Sequence, residues 1–119
     1  MTSATVPNPP NPFTADPLGP LLANRLLDAV HPDGRVTPVS VQVGLPAPHG
    51  DQVGDWHCPC RIVGLGESEV WTLYGVDALQ AVSQALELLR RVLVDFAQEE
   101  GLTFTWGTDT DLDVFDVLW

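Results

Sequence analysis

Residues 56–86 constrain the fold more than any other stretch, because a strand pattern changes to a helix pattern within them. Residues 64–68 predict a turn, and residues 69–74 predict the returning strand of a hairpin. The connection between the two strands is too short for a parallel crossover, so we expect an antiparallel sheet. Alternate residues of the first strand of this hairpin share one face of the sheet. These residues are Trp56, Cys58, Cys60 and Ile62.

A long helix is expected over residues 77–100. Asp77 is suited to cap its N-terminus with Gln80 reaching back, and Gly101 supplies a left-handed stop. Because its apolar stripe is wider than one sheet face needs, we expect this helix to be covered on two sides within the chain or by another chain. The stripe consists of Leu79, Val82, Leu86, Leu89, Leu93 and Phe96, widened by Ala85, Leu88, Val92 and Val94.

Residues 21–30 predict a short helix between Pro20 and a turn at 31–34, because Leu22, Leu26, Leu27 and Val30 fall at helical spacing. Alternation predicts strands over residues 39–43 and 102–106, and residues 45–55 are expected to form a loop. The expected fold is a two-layer α+β domain in the order α-β-β-β-α-β, with an antiparallel sheet of about four strands packed on one long helix.

The position of proline bears on two further expectations. Pro59 has no N–H to give to a sheet ladder, so its strand should lie at an edge or carry a bulge at residue 59. Residues 1–20 contain six prolines and little that could be buried, which predicts an extended or disordered leader. Residues 21–119 are expected to form a single α+β domain with an acidic C-terminal tail.

The charge of the chain limits its partners. Sixteen acidic residues against five basic residues give a net charge of −11, which disfavours nucleic acid and anionic membranes. No apolar run reaches the roughly 18 residues of a membrane span, and no secretory signal is visible. All five basic residues are arginine, a bias that suggests a GC-rich bacterial gene. Two closely spaced cysteines fit a reducing compartment, so we expect a cytoplasmic protein.

Two sequence patterns resemble a family of small bacterial domains of unknown function. The first is Trp56-His57-Cys58 with Ile62, and the more specific second is Gly75-Val76-Asp77 with Gln80-Ala81. The resemblance covers roughly residues 36–106. Pro59 and Cys60 depart from the family pattern, so a role for the cysteine pair would be particular to this chain. The resemblance implies the fold and implies no chemistry.

The cysteine pair gives one alternative function, a zinc site through Cys58 and Cys60. His57 points to the opposite face of the strand, so a further ligand would have to come from His31, His49 or a second subunit. The competing interpretation is that both cysteines are small buried apolar residues. No catalytic motif is present, and no residue is assigned a catalytic role.

The sequence therefore favours a non-enzymatic protein-interaction module without a cofactor, which we expect to be a homodimer or to bind another protein. An acidic inhibitor or immunity-type protein for a basic partner is a further alternative, based on charge. The candidate interaction residues lie on the polar strip of the helix and in the tail, and they are Gln80, Gln84, Glu87, Arg91, Phe115 and Trp119.

Overall fold

The computed structural model describes residues 16–50, 54–66 and 68–106. Within these ranges six strands form one antiparallel sheet and one helix packs on it, which confirms the α+β class. The sheet order is β3-β4-β2-β1-β6. β2 and β3 pair with the same edge of β4, one after the other along the strand, and β5 pairs with the opposite edge. The elements are β1 Leu21–Val30, β2 Val36–Gly44, β3 Ala47–Pro48, β4 Trp56–Val63, β5 Trp71–Gly75, α1 Ala78–Glu100 and β6 Thr103–Thr105.

The predicted N-terminal helix is wrong, because residues 21–30 form β1. This strand pairs with β2 along its length, from Leu21 opposite Gly44 to Val30 opposite Val36, and its C-terminal end also pairs with β6. Hydrogen bonding to two neighbours overrides the helical spacing of a ten-residue run, which periodicity alone could not assign. The turn after the expected helix is the hairpin turn between β1 and β2, closed by the His31 N–H donating to the Arg35 carbonyl at 2.8 Å.

The predicted count of four strands is also too low. The additional strands are β1 and the two-residue β3, which lies inside the expected loop 45–55. The hairpin of β4 and β5 is confirmed, with Cys58 opposite Leu73.

The edge alternative for Pro59 is wrong, because β4 has neighbours on both sides. On one side, however, pairing stops between Cys60 and His57, and residues 44–46 lie opposite residues 58 and 59. The facing chain therefore carries the irregularity that a proline in a sheet requires. Gly44 leaves room there, because a Cβ at this position would lie 2.7 Å from Cγ of Pro59.

Both ends of α1 follow the prediction. The Asp77 carboxylate accepts a hydrogen bond from the Gln80 N–H at 2.8 Å, and Oε1 of Gln80 accepts one from the Val76 N–H at 2.7 Å. Gly101 ends the helix with φ 66°, in the left-handed region. These contacts fix where the helix leaves β5 and where the chain turns toward β6.

The apolar stripe of α1 packs mainly on β4 and β5. Leu79 was expected in the core but is 78% exposed, because the buried row of the helix begins at Ala81. The flanking residues Val82, Leu86, Leu88, Val92, Val94 and Phe96 are half-buried against the same core. Most of the stripe is therefore covered within the chain. The fully buried row of the helix consists of Ala81, Ala85, Leu89 and Leu93.

Candidate functional site

The cysteines lie in the core beneath α1. Cys58 and Cys60 are both 0% exposed and share the helix face with Ile62, while His57 lies on the other face as predicted. Burial raises the pKa of both thiols, to about 12 for Cys60, where the neighbouring Cys58 adds to the effect. A zinc ligand must be a thiolate, and protonated thiols in a closed core bind metal poorly. In the described ranges no group of three potential metal ligands occurs.

The predicted polar strip of α1 is solvent-exposed, and it contains Gln80, Gln84, Glu87 and Arg91. The side chain of Gln80 is already used in the N-terminal cap. The strip itself offers few apolar side chains for a protein contact. Phe115 and Trp119, together with the rest of the acidic tail and most of the Pro-rich leader, lie outside the described residues.

The face of the sheet opposite α1 has exposed apolar side chains. Leu26 is 65% exposed and Val36 is 53% exposed. They belong to the alternate positions of β1 and β2, whose other positions point into the core. We call this side of the sheet the open face.

A depression of about 450 Å³ lies in the open face. It crosses β1, β2 and β4, where Leu26 is opposite Ser40 and Ser40 is opposite Val63. The next pair along β1 and β2 is Asp28 with Pro38. The depression is lined by Leu26, Leu27, Asp28, Pro38, Val39, Ser40 and Val63.

Asp28 is the one charged residue in this lining. Among the residues that the structure describes, its carboxylate has no ion-pair partner. An unpaired carboxylate bordered by apolar side chains would gain from a cation brought by a ligand, since such a pair is screened less than one in open water.

A polar network lies next to the depression on β2 and β4. Both carboxylate oxygens of Asp16 accept hydrogen bonds from the Arg61 guanidinium, at 3.1 and 3.0 Å, and Nε of Arg61 donates to Gln42 at 2.9 Å. The Arg61 bonds and the Leu18 N–H hold the pKa of Asp16 below its usual range. Leu18 is buried at this point, so residues 16–20 cover one part of the open face and leave the depression uncovered.

A cluster of aromatic rings lies at another corner of the open face. The His49 ring packs edge-on against His57 at 5.5 Å and against Tyr74 at 5.0 Å, measured between ring centroids. Nδ1 of His57 is buried without a hydrogen-bond partner in the described part of the chain. Two imidazoles and a phenol form an incomplete ligand set for a metal, and the edge-on ring contacts are those of packed aromatic side chains.

Sequence reasoning missed the depression because its residues come from three strands, one of which was predicted to be helical. One local signal was available. The His31-Pro32-Asp33-Gly34 turn stands between two apolar runs, and such a turn is typical of a hairpin. With β1 assigned as a strand, Leu26 and Asp28 would have fallen on the face opposite Leu27.

These features define a two-layer α+β domain with its helix on one face of the sheet and the other face open. The chain belongs to the family described as a domain of unknown function, DUF6968, which it matches over residues 23–114. This confirms the resemblance to a family of unknown function and extends it in both directions. No curated protein and no solved structure matched the chain. None of the described helical residues makes a segment both long and apolar enough to cross a membrane.

Proposed function

We propose that this chain is a non-enzymatic protein-interaction module whose docking surface is the open face of the sheet. The observation that carries the proposal is the depression, where Leu26 is 65% exposed beside Pro38 and Val63. Contiguous exposed apolar surface on a folded domain typically marks an interaction site. We infer a cytoplasmic protein, because two unpaired cysteines fit a reducing compartment, and a bacterial one, because the exclusive use of arginine among basic residues suggests a GC-rich bacterial gene.

The docking surface differs from the one that the sequence suggested. The apolar stripe of α1 motivated a homodimer, but most of that stripe packs on β4 and β5. If two copies associate, we therefore expect them to do so through the open face. Mutual repulsion between chains of net charge −11 works against it.

A second candidate is an acidic inhibitor or immunity-type protein for a basic partner. It is a narrower form of the same proposal, and the unpaired Asp28 carboxylate in the depression favours it. The zinc alternative gains no support from the buried, protonated cysteines.

A display selection with random peptides tests the docking surface. Peptides selected on the full chain should lose binding to Leu26→Glu, because a carboxylate replaces the largest exposed apolar contact in the depression. Leu79→Glu is the matched control, since Leu79 is 78% exposed on α1, outside the open face. Peptides that bind Leu26→Glu as well as the unaltered chain would contradict the proposal. Native mass spectrometry of the same proteins reports whether a second copy occupies the face.

A further inference from the structure

The width of the depression fits a helix. It spans the three neighbouring strands β1, β2 and β4. Adjacent strands lie about 4.8 Å apart, so β1 and β4 are separated by roughly 10 Å, which is about the diameter of a helix with its side chains. A sheet face presents side chains rather than free backbone groups, and helices are the usual cover for such a face.

The charge of the depression determines which side chains that helix must carry. Asp28 lies opposite Pro38 at the border of a depression that Leu26 and Val63 also line. A helix that buries this surface must also bring a cation to Asp28, because a carboxylate covered without a partner is costly. A Lys or Arg at the border of an apolar stripe meets both requirements.

Residues 1–15 and 107–119, which lie outside the described ranges, have no basic side chain to pair with Asp28, and the second segment carries four aspartates. A second copy does not supply such a helix. The outer face of its α1 offers Arg91 among Gln84, Glu87 and Asp95, with too few apolar residues to fill the depression.

We propose, building on the function proposed above, that the depression binds an amphipathic helix of a different, basic protein. The apolar stripe of that helix lies on Leu26, Pro38 and Val63, and a Lys or Arg beside the stripe pairs with Asp28. The net charge of −11 accelerates the encounter, and the Asp28 pair fixes the orientation of the helix.

Synthetic peptides and two aspartate variants test the proposal by fluorescence anisotropy at about 0.15 M salt. The probe is a peptide of about 18 residues, with Leu and Ala on one helical face and Lys on the other. A peptide with Glu in place of Lys tests the charge. A scrambled Lys peptide without an apolar stripe measures nonspecific attraction to an acidic protein.

The Lys peptide should bind the unaltered chain more tightly than the Glu peptide and the scrambled peptide. Asp28→Asn should weaken binding of the Lys peptide about tenfold, because losing a hydrogen bond between charged groups lowers a binding constant by roughly that factor. Asp95→Asn removes the same charge from the exposed surface of α1 and should leave binding nearly unchanged. Circular dichroism of each variant establishes that it is folded.

The outcomes separate this inference from the proposed function. Equal binding by Asp28→Asn and Asp95→Asn, or by the Lys and Glu peptides, would overturn the basic helix. If Leu26→Glu still removed peptide binding in that case, the open face would stand as a docking surface with a different occupant. Binding that is unchanged by both Leu26→Glu and the milder Leu26→Gln would overturn both proposals. A dimer in native mass spectra that Leu26→Glu dissolves would replace the basic helix with a second copy.

Discussion

The two faces of this sheet are made by the same strands but differ in what covers them. On one face α1 lies over Cys58, Cys60 and Ile62, and all three are buried. On the other face residues 16–20 cover only the part near Gly44, and Leu26 remains 65% exposed. The alternation of a strand sends half of its residues to each side, so apolar residues on both sides require two covers.

Within the described residues, α1 covers one face of the sheet and residues 16–20 cover only part of the other. A strand with one solvated face usually alternates apolar and polar residues. β1 instead places Leu26 on the open face, and β2 adds Val36 and Pro38. Apolar residues in these positions contribute little to the isolated fold, and this surplus is the basis of the proposal that another protein docks there.

The largest expected effect contrasts one leucine from each face. Leu89→Ala removes a fully buried side chain and should lower the free energy of unfolding by about 2–5 kcal/mol. Leu26→Ala should lower it by less than about 1 kcal/mol, because the side chain is already mostly in water. Urea unfolding followed by circular dichroism measures both. Similar losses for the two variants would mean that the open face is part of the folding core.

A smaller effect is expected at the cysteines of the covered face. Cys60→Ser buries a hydroxyl and should cost about 1–3 kcal/mol of stability, as for other unsatisfied buried polar groups. Cys58→Ser should cost less, because Sγ of Cys58 lies 3.5 Å from the Gly44 carbonyl oxygen, to which a serine hydroxyl can donate. The same urea titrations measure both variants, and a larger loss for Cys58→Ser would contradict the assignment.

The pH dependence of this face follows from the same burial. The pKa of Cys60 rises from 9.0 to about 12 on folding, so the folded state binds the thiol proton more tightly. The stability contributed by this proton is complete below pH 9 and is lost as the pH rises from 9 toward 12. The chain should therefore lose stability relative to Cys60→Ala above pH 9. If the free energy of unfolding changed with pH in the same way for Cys60→Ala and the unaltered chain, the result would count against a buried thiol at Cys60.

The elements that sequence reasoning predicted are those with local signals. The cap of α1 needs only Asp77 and Gln80, three residues apart, and its end needs only Gly101. The cysteine face of β4 follows from alternation within eight residues. In both cases the physical determinants are close together in the sequence, so the pattern could be recognised without knowledge of the partners.

The parts that were missed depend on distant partners. The leucines of β1 fit a helical period as well as a strand, and only pairing with β2 and β6 decides between them. The depression joins Leu26, Pro38 and Val63, whose proximity depends on the sheet order. No spacing rule within one segment could have assembled this site.

The smallest expected effect concerns the ion pair between Asp16 and Arg61, which holds residues 16–20 against part of the open face. Asp16→Asn weakens the paired hydrogen bonds with Arg61 and should cost less than about 1 kcal/mol, because the carboxylate is largely exposed. The pKa of Asp16 is lower in the folded state than its ordinary value of 3.8, chiefly because of the Arg61 bonds. The stability it contributes is therefore present above pH 3.8 and is lost as the pH falls below that value.

Urea titrations of Asp16→Asn between neutral pH and pH 3 should show a difference from the unaltered chain that shrinks toward low pH. Asp95→Asn, on the exposed surface of α1, is the control for a general change of charge. If Asp16→Asn instead cost several kcal/mol at neutral pH, residues 16–20 would be an essential part of the core. Residues 16–20 would then stabilise the fold by more than one exposed ion pair can. The depression would be the one part of the open face that still differs from the face under α1.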